Sequence, residues 1–155
     1  MSSFDHYLNR IIGTAGAEAA AEGSATVEAH HLLLAIAAEG TSPALAAAGL
    51  DHAAVRSALD RELTQSLAAA GVRIEGGLPT ATPAPPGDPK LGATARSALE
   101  RGFATASRKR DCRPAHVLLG VVLTPVGTVP RALDLAGVDR AGLADGVRRE
   151  IADAG

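Results

Sequence analysis

Aromatic residues are nearly missing from this sequence: no tryptophan, one tyrosine and two phenylalanines. A core must therefore be built from the alanine, leucine, valine and isoleucine that dominate the 46% hydrophobic fraction. Such small side chains let helices approach closely, which suits an all-α bundle. Cysteine occurs once, as Cys112, so no intrachain disulfide can form and a reducing compartment is expected. Positive charge is also scarce in excess: the formal net charge is −2, which argues against a general electrostatic nucleic-acid binder. The longest apolar runs, near 32–38 and 117–123, fall far short of the ~20 residues of a membrane helix. Met1 to His6 carries neither the basic nor the apolar segment of a signal peptide. These absences predict a soluble, cytoplasmic, monomeric protein. No Gly-x-x-x-x-Gly-Lys-Ser/Thr phosphate loop occurs, so no ATPase is expected. Cys112 has a histidine four residues on but no identifiable third, orienting group, so nucleophilic catalysis is not expected, and no enzyme and no cofactor are expected either.

What the sequence does contain is a text written twice. His31-Leu-Leu-Leu-Ala-Ile36 is followed by Ala-Gly-Leu-Asp at 48–51, and His116-Val-Leu-Leu-Gly-Val121 by Ala-Gly-Val-Asp at 136–139. Leu45, Val55, Leu59 and Leu63 match Leu133, Leu143, Val147 and Ile151 at one constant offset, with a three-residue slip back to the histidine blocks. Periodicity supplies the helices around these anchors. Phe4, Leu8, Ile11, Ile12, Ala15 and Ala19 form one stripe over 4–22. Thr26 is placed to cap an apolar helix over about 27–39. Ser42-Pro43 starts a short helix, and Asp51 caps a longer one. Its inner row reads Val55, Leu59, Leu63 and Leu67, with Arg56, Asp60, Arg61 and Glu62 outward.

Residues 71–88 hold Gly71, Gly76, Gly77, Pro79, Pro83, Pro85, Pro86 and Gly87, a composition that reads as an irregular connector. Asp88-Pro89 is placed to open the second half, whose stripe runs Leu91, Ala95, Leu99, Phe103, Ala106. Pro114 begins the second apolar helix, Thr128-Val129-Pro130 a short one, and Asp139 caps the last. The expectation is one domain over 1–155. Repeat one spans 1–70 and repeat two spans 89–155, each of four helices, packed as a pseudo-twofold pair. Two copies are too few for an open solenoid.

These blocks resemble the Clp N-terminal repeat at the amino terminus of AAA+ unfoldases such as ClpA and ClpC. The carrying residues are Phe4 through Ile12 with Glu18-Ala19, the His31 block, Ala-Gly-Leu-Asp51 with Val55-Arg56 and Leu59, and the His116 and Asp139 blocks of the second copy. The resemblance implies a non-catalytic module that docks substrates, adaptors or peptide-like ligands for an unfoldase. Without ATPase motifs, the chain looks like a free-standing version that serves as adaptor, regulator or decoy for peptide antibiotics. The ClpC-type pattern also implies a phosphoarginine reader with a Glu just before each repeat histidine. Here those positions are His30 and Ala115, and Glu28 lies two residues from the first. Two guanidinium acceptors are gone.

The candidate ligand-binding residues are Phe4, His6, Tyr7, His30, Glu28, Arg113 and Ala115. Phe4 and Tyr7 read either as core or as the edge of a peptide groove, the latter implied by the resemblance. His30, His31, His116 and Cys112 lack zinc-finger spacing, so no metal site is expected. His31 and His116 instead suit matched hydrogen bonds at the starts of the buried helices. Arg108, Lys109, Arg110 and Arg113 form a basic loop. It reads as a solvated connection, with nucleic-acid binding as the alternative function.

Overall fold

A computed structural model describes residues 2–73, 76, 82 and 88–154. Among them are eight α-helices and one short 3-10 turn, joined by no sheet. The first four helices are α1 (Ser3–Ala21), α2 (Ala29–Glu39), α3 (Pro43–Ala47) and α4 (His52–Ala69). Then come α5 (Ala93–Ala104), the turn Lys109–Asp111, α6 (Pro114–Val122), α7 (Thr128–Leu135) and α8 (Arg140–Ala154). The chain is all-α, as its stripes predict. Most of the expected connector lies outside the described residues.

The two apolar helices set the architecture. Residues 31–37 of α2 and 115–122 of α6 are buried without interruption, so neither helix has a solvent face. A helix of this kind must be enclosed by others. Helices α1, α4 and α5 pack on α2, while α5, α1 and α8 pack on α6. One continuous core results, with Ile11, Leu32, Leu33, Leu34, Leu118 and Leu133 completely enclosed. Helices α5 and α6 approach most closely. A Cβ on Gly120 would collide with the Ala98 carbonyl and the Gly102 backbone, and one on Gly102 with the His116 carbonyl.

Matching positions in the two halves adopt matching local structure. Asp51 accepts the Ala54 amide at 2.8 Å and Asp139 that of Gly142 at 3.1 Å, each at a helix N-terminus. Gly49 and Gly137 take φ of 71° and 75°, letting Leu50 donate to Leu45 O and Val138 to Leu133 O. The halves also exchange contacts: α4 packs on α7, and α3 on α8. Glu62 of α4 accepts Arg131 Nε of α7 at 2.9 Å. Its equivalent Glu150 on α8 accepts the Ala44 amide of α3 at 2.7 Å, together with the Ser42 hydroxyl. Each glutamate thus reaches the short helix of the other half.

Four expectations need correction. Glu28, not Thr26, is the N-cap residue of α2, because Thr26 Oγ1 donates to the Glu28 carboxylate at 2.6 Å. Helix α5 starts at Ala93 after Gly92, not at Asp88-Pro89, because Lys90 to Gly92 are drawn into an extended pairing with Val27. Val27 N donates to Lys90 O and Gly92 N to Val27 O, both at 2.8 Å. Leu63 is 46% exposed and Leu67 is only half-buried, because the end of α4 runs past the helices that cover its start. Glu62, expected outward, is buried against α7 and Ser66.

Leu33→Ala should cost roughly 2–5 kcal/mol in chemical denaturation, since the site is fully enclosed by rigid neighbours. A loss under about 1 kcal/mol would contradict the packing of α2 described here.

Candidate functional site

Two polar centres and a cleft lined by aromatic and cationic side chains emerge, beside a second cleft of about 860 Å³ between α3 and α8. The first centre lies at the start of α2. His31 is completely buried, and its Nδ1 accepts the backbone N–H of Glu28 at 2.9 Å. That acceptor role leaves the proton on Nε2, which donates to Glu22 Oε2 at 2.8 Å. His30 Nε2 bonds the other oxygen of Glu22 at 3.2 Å. Burial pushes the Glu22 carboxyl up, but the two histidine hydrogen bonds outweigh it and hold it well below the usual carboxylate range. The start of α6 repeats the motif, with Arg113 N–H donating to His116 Nδ1 at 2.8 Å. The matched hydrogen bonds expected of His31 and His116 are both present.

Glu22, His30 and His31 place three potential ligand atoms within 4.8 Å of one another. The hydrogen-bond chemistry opposes a metal there. Coordination through His31 Nε2 would move the proton to Nδ1, against the Glu28 N–H. The cluster instead closes the junction of α1 and α2. The sequence offered one overlooked signal for Glu22: a carboxylate just after the end of α1, where the helix dipole disfavours it, needs a compensating donor.

The second centre joins the halves. Glu28 Oε1 accepts Thr94 Oγ1 at 2.8 Å while Oε2 takes Thr26, and the Thr94 hydroxyl in turn accepts the Ala29 amide at 2.9 Å. Burial raises the Glu28 carboxyl and these hydroxyl bonds lower it further, leaving it below its ordinary value. Both oxygens are engaged in structure.

The cleft lies between the start of α1, the end of α5 and the basic turn, and encloses about 1000 Å³. That is the upper end of the range for ligand pockets. Phe4, Leu8 and Phe103 supply its apolar surface, with Phe4 and Phe103 edge to face at 6.1 Å between ring centres. Cys112 contributes a buried wall, and burial raises its thiol pKa. Arg108, Lys109, Arg110 and Arg113 form the cationic rim. Arg108 is engaged by Asp111 at 2.8 Å, whereas Lys109 and Arg110 are exposed and carry no ion pair among the described residues.

The candidate residues therefore separate. Phe4 and Arg113 share the cleft. Tyr7 is buried behind it, stacked on Phe4 at 6.3 Å, and His6 points to solvent. His30 belongs to the Glu22 cluster, Glu28 to the junction of the halves, and Ala115 is buried in the first turn of α6. Leu8, Phe103, Lys109 and Arg110 complete the cleft and were not singled out as ligand-binding residues by motif. They come from separate segments that only the fold brings together.

The fold is thus an all-α domain with an apolar, charge-rimmed cleft and two structural polar centres. The sequence model of the Clp repeat (R) N-terminal domain matches residues 3–84, and the chain belongs to that family. The family consists of protein-interaction domains in Clp unfoldase systems. The match covers the first half and the stretch after it. No curated protein matches the chain significantly. No helix among the described residues is long and apolar enough to cross a membrane.

Burial lowers the pKa of His116 below its ordinary value of about 6.5. The unfolded chain therefore takes up this proton first as pH falls. The stabilisation is complete above about pH 7 and declines as pH drops below about 6.5 toward the folded pKa. Thermal unfolding between about pH 7 and pH 5.5 should show this decline, and His116→Asn should flatten it. An equal slope in the variant would contradict the assignment.

Proposed function

We propose that this chain is a non-catalytic module that docks protein segments or peptide-like ligands at the cleft between α1 and α5. The observation that carries the reading is the cleft itself. In a chain with three aromatic residues, Phe4 and Phe103 come from opposite halves to face one opening. Half-buried aromatic residues and arginines around a concavity, as here, are the usual anchors of binding. Family membership supports a partner drawn from the Clp system, whether unfoldase, adaptor or substrate. A role as adaptor or as decoy for a peptide antibiotic uses the same surface. The single buried cysteine supports a reducing, cytoplasmic setting.

Nucleic-acid binding through the basic loop has less support. The loop offers one short turn, and Arg108 is already committed to Asp111.

Phosphoarginine recognition is not part of the proposed function. A guanidinium needs a free carboxylate acceptor. His30 and Ala115 occupy the positions that the ClpC-type pattern assigns to glutamate. Glu22 stands beside His30, but both its oxygens are taken by His30 and His31. Calorimetry with free phosphoarginine at physiological salt should show weak or undetectable binding. Saturable low-micromolar binding would refute this reading of the site.

The docking proposal is tested by titrating a fluorescent apolar peptide against the intact chain and its Phe103→Ala variant. Binding to the first should weaken roughly tenfold or more in the second, as expected for loss of an aromatic anchor. Equal binding would place the docking site elsewhere.

A further inference from the structure

We propose that the occupant of the cleft is an acidic peptide in extended form, with one apolar side chain on Phe4, Leu8 and Phe103 and flanking carboxylates on Lys109 and Arg110. This deepens the docking reading above and rests on it.

The first argument is a comparison within the molecule. Val27 enters α2 one residue before its cap, and Cys112 stands in the same relation to α6. At Val27 the chain docks an extended segment of its own, Lys90 to Gly92, through two backbone hydrogen bonds, with Leu91 half-buried beside the core. At Cys112 no such segment is paired among the described residues. Its N–H turns to Lys109 O at 3.1 Å, and its carbonyl receives only Arg113 Nη1 at 3.4 Å. The backbone entering α6, where Cys112 lines the cleft, thus has no extended partner of its own among the described residues, and extended peptides are held by pairing with such backbone.

The second argument is charge. Four cations and one carboxylate, Asp5, line the opening, with Asp111 bonded to Arg108 beside it and Asp5 accepting the Ser2 hydroxyl. Asp5 closes the N-terminus of α1 with Ser2, and Asp111 holds Arg108. Lys109 and Arg110 make no ion pair among the described residues of an otherwise slightly acidic protein, although Lys109 lies near enough to Asp5 to favour its charged form. A local positive rim on a net-negative chain attracts negatively charged partners and repels basic ones.

The third argument is the apolar floor. Phosphate contacts dominate nucleic-acid binding and need many cations in a row. Here the cations edge an aliphatic and aromatic surface of Phe4, Leu8 and Phe103, which suits a leucine-like side chain.

The test uses the whole chain and three fluorescein-labelled peptides with the same central leucine, flanked by glutamates, by serines or by lysines. Fluorescence polarisation should rank them acidic, then neutral, then basic, with the acidic peptide weakened several-fold by raising salt toward physiological strength. Lys109→Glu with Arg110→Glu, both exposed and free to change without disturbing the core, should lower acidic-peptide affinity roughly tenfold and reverse the ranking. Phe103→Ala, checked for retained helix by circular dichroism, should weaken all three.

Equal binding of acidic and neutral peptides, unchanged by the charge reversal, would overturn the acidic preference and leave the cleft as a docking site. Failure of all three peptides to bind, or indifference to Phe103→Ala, would overturn the cleft reading too. A single-stranded DNA oligomer that outcompetes the acidic peptide would overturn the proposal in favour of nucleic acid.

Discussion

Everything in this fold follows from two helices that have no polar side. Residues 31–37 and 115–122 are buried all round, so each helix needs neighbours on every face. Neither half can supply them alone, because each has only three other helices, one of them short. The solution is an exchange: α5 and α6 pack on α2 and α1 packs on α6, while α4 on α7 and α8 on α3 tie the halves together through Glu62 and Glu150. Enclosure then creates a second demand. The chain entering each buried helix brings a part-buried N–H that the helix itself leaves without a partner. His31 and His116 meet that demand with Nδ1. The histidines are part of the cost of burying the helices that follow them.

Most of this organisation was legible in the sequence because it rests on local chemistry. The apolar runs, the Ser42, Asp51 and Asp139 caps and the paired histidines each act within four residues of their own position. The failures are all long-range. Thr26 was a plausible cap until Glu28, held by Thr94 from the other half, took both its hydroxyl and the cap position. Asp88-Pro89 carried a sound helix-start signal that lost to the pairing of Lys90 to Gly92 with Val27. Leu63 and Glu62 exchanged their expected environments because α7, not the core of the first half, meets that part of α4. The equal spacing of Glu62 and Glu150 from the two Asp caps was a visible signal that pattern-reading of one helix at a time did not use.

The cleft was only half legible. Phe4 and Arg113 stood out by rarity and by charge. Their meeting required α5 to bring Phe103 alongside α1, a consequence of the second half's packing. The two halves are alike where they are structural, in caps and turns. They differ where α2 and α6 begin: at one the chain covers its own edge, and at the other the edge borders an open cleft. The proposed docking cleft lies where the two halves differ.

The scarcity of aromatic residues has an optical consequence. Tyr7 is the only tyrosine and there is no tryptophan, so its ring alone accounts for the protein's intrinsic emission. It lies buried against Phe4, which lines the cleft, with the Arg10 guanidinium 5.5 Å from its centre. Any occupant that shifts Phe4 alters the surroundings of the one fluorophore. The molecule therefore carries a built-in, label-free reporter one residue removed from the proposed docking cleft.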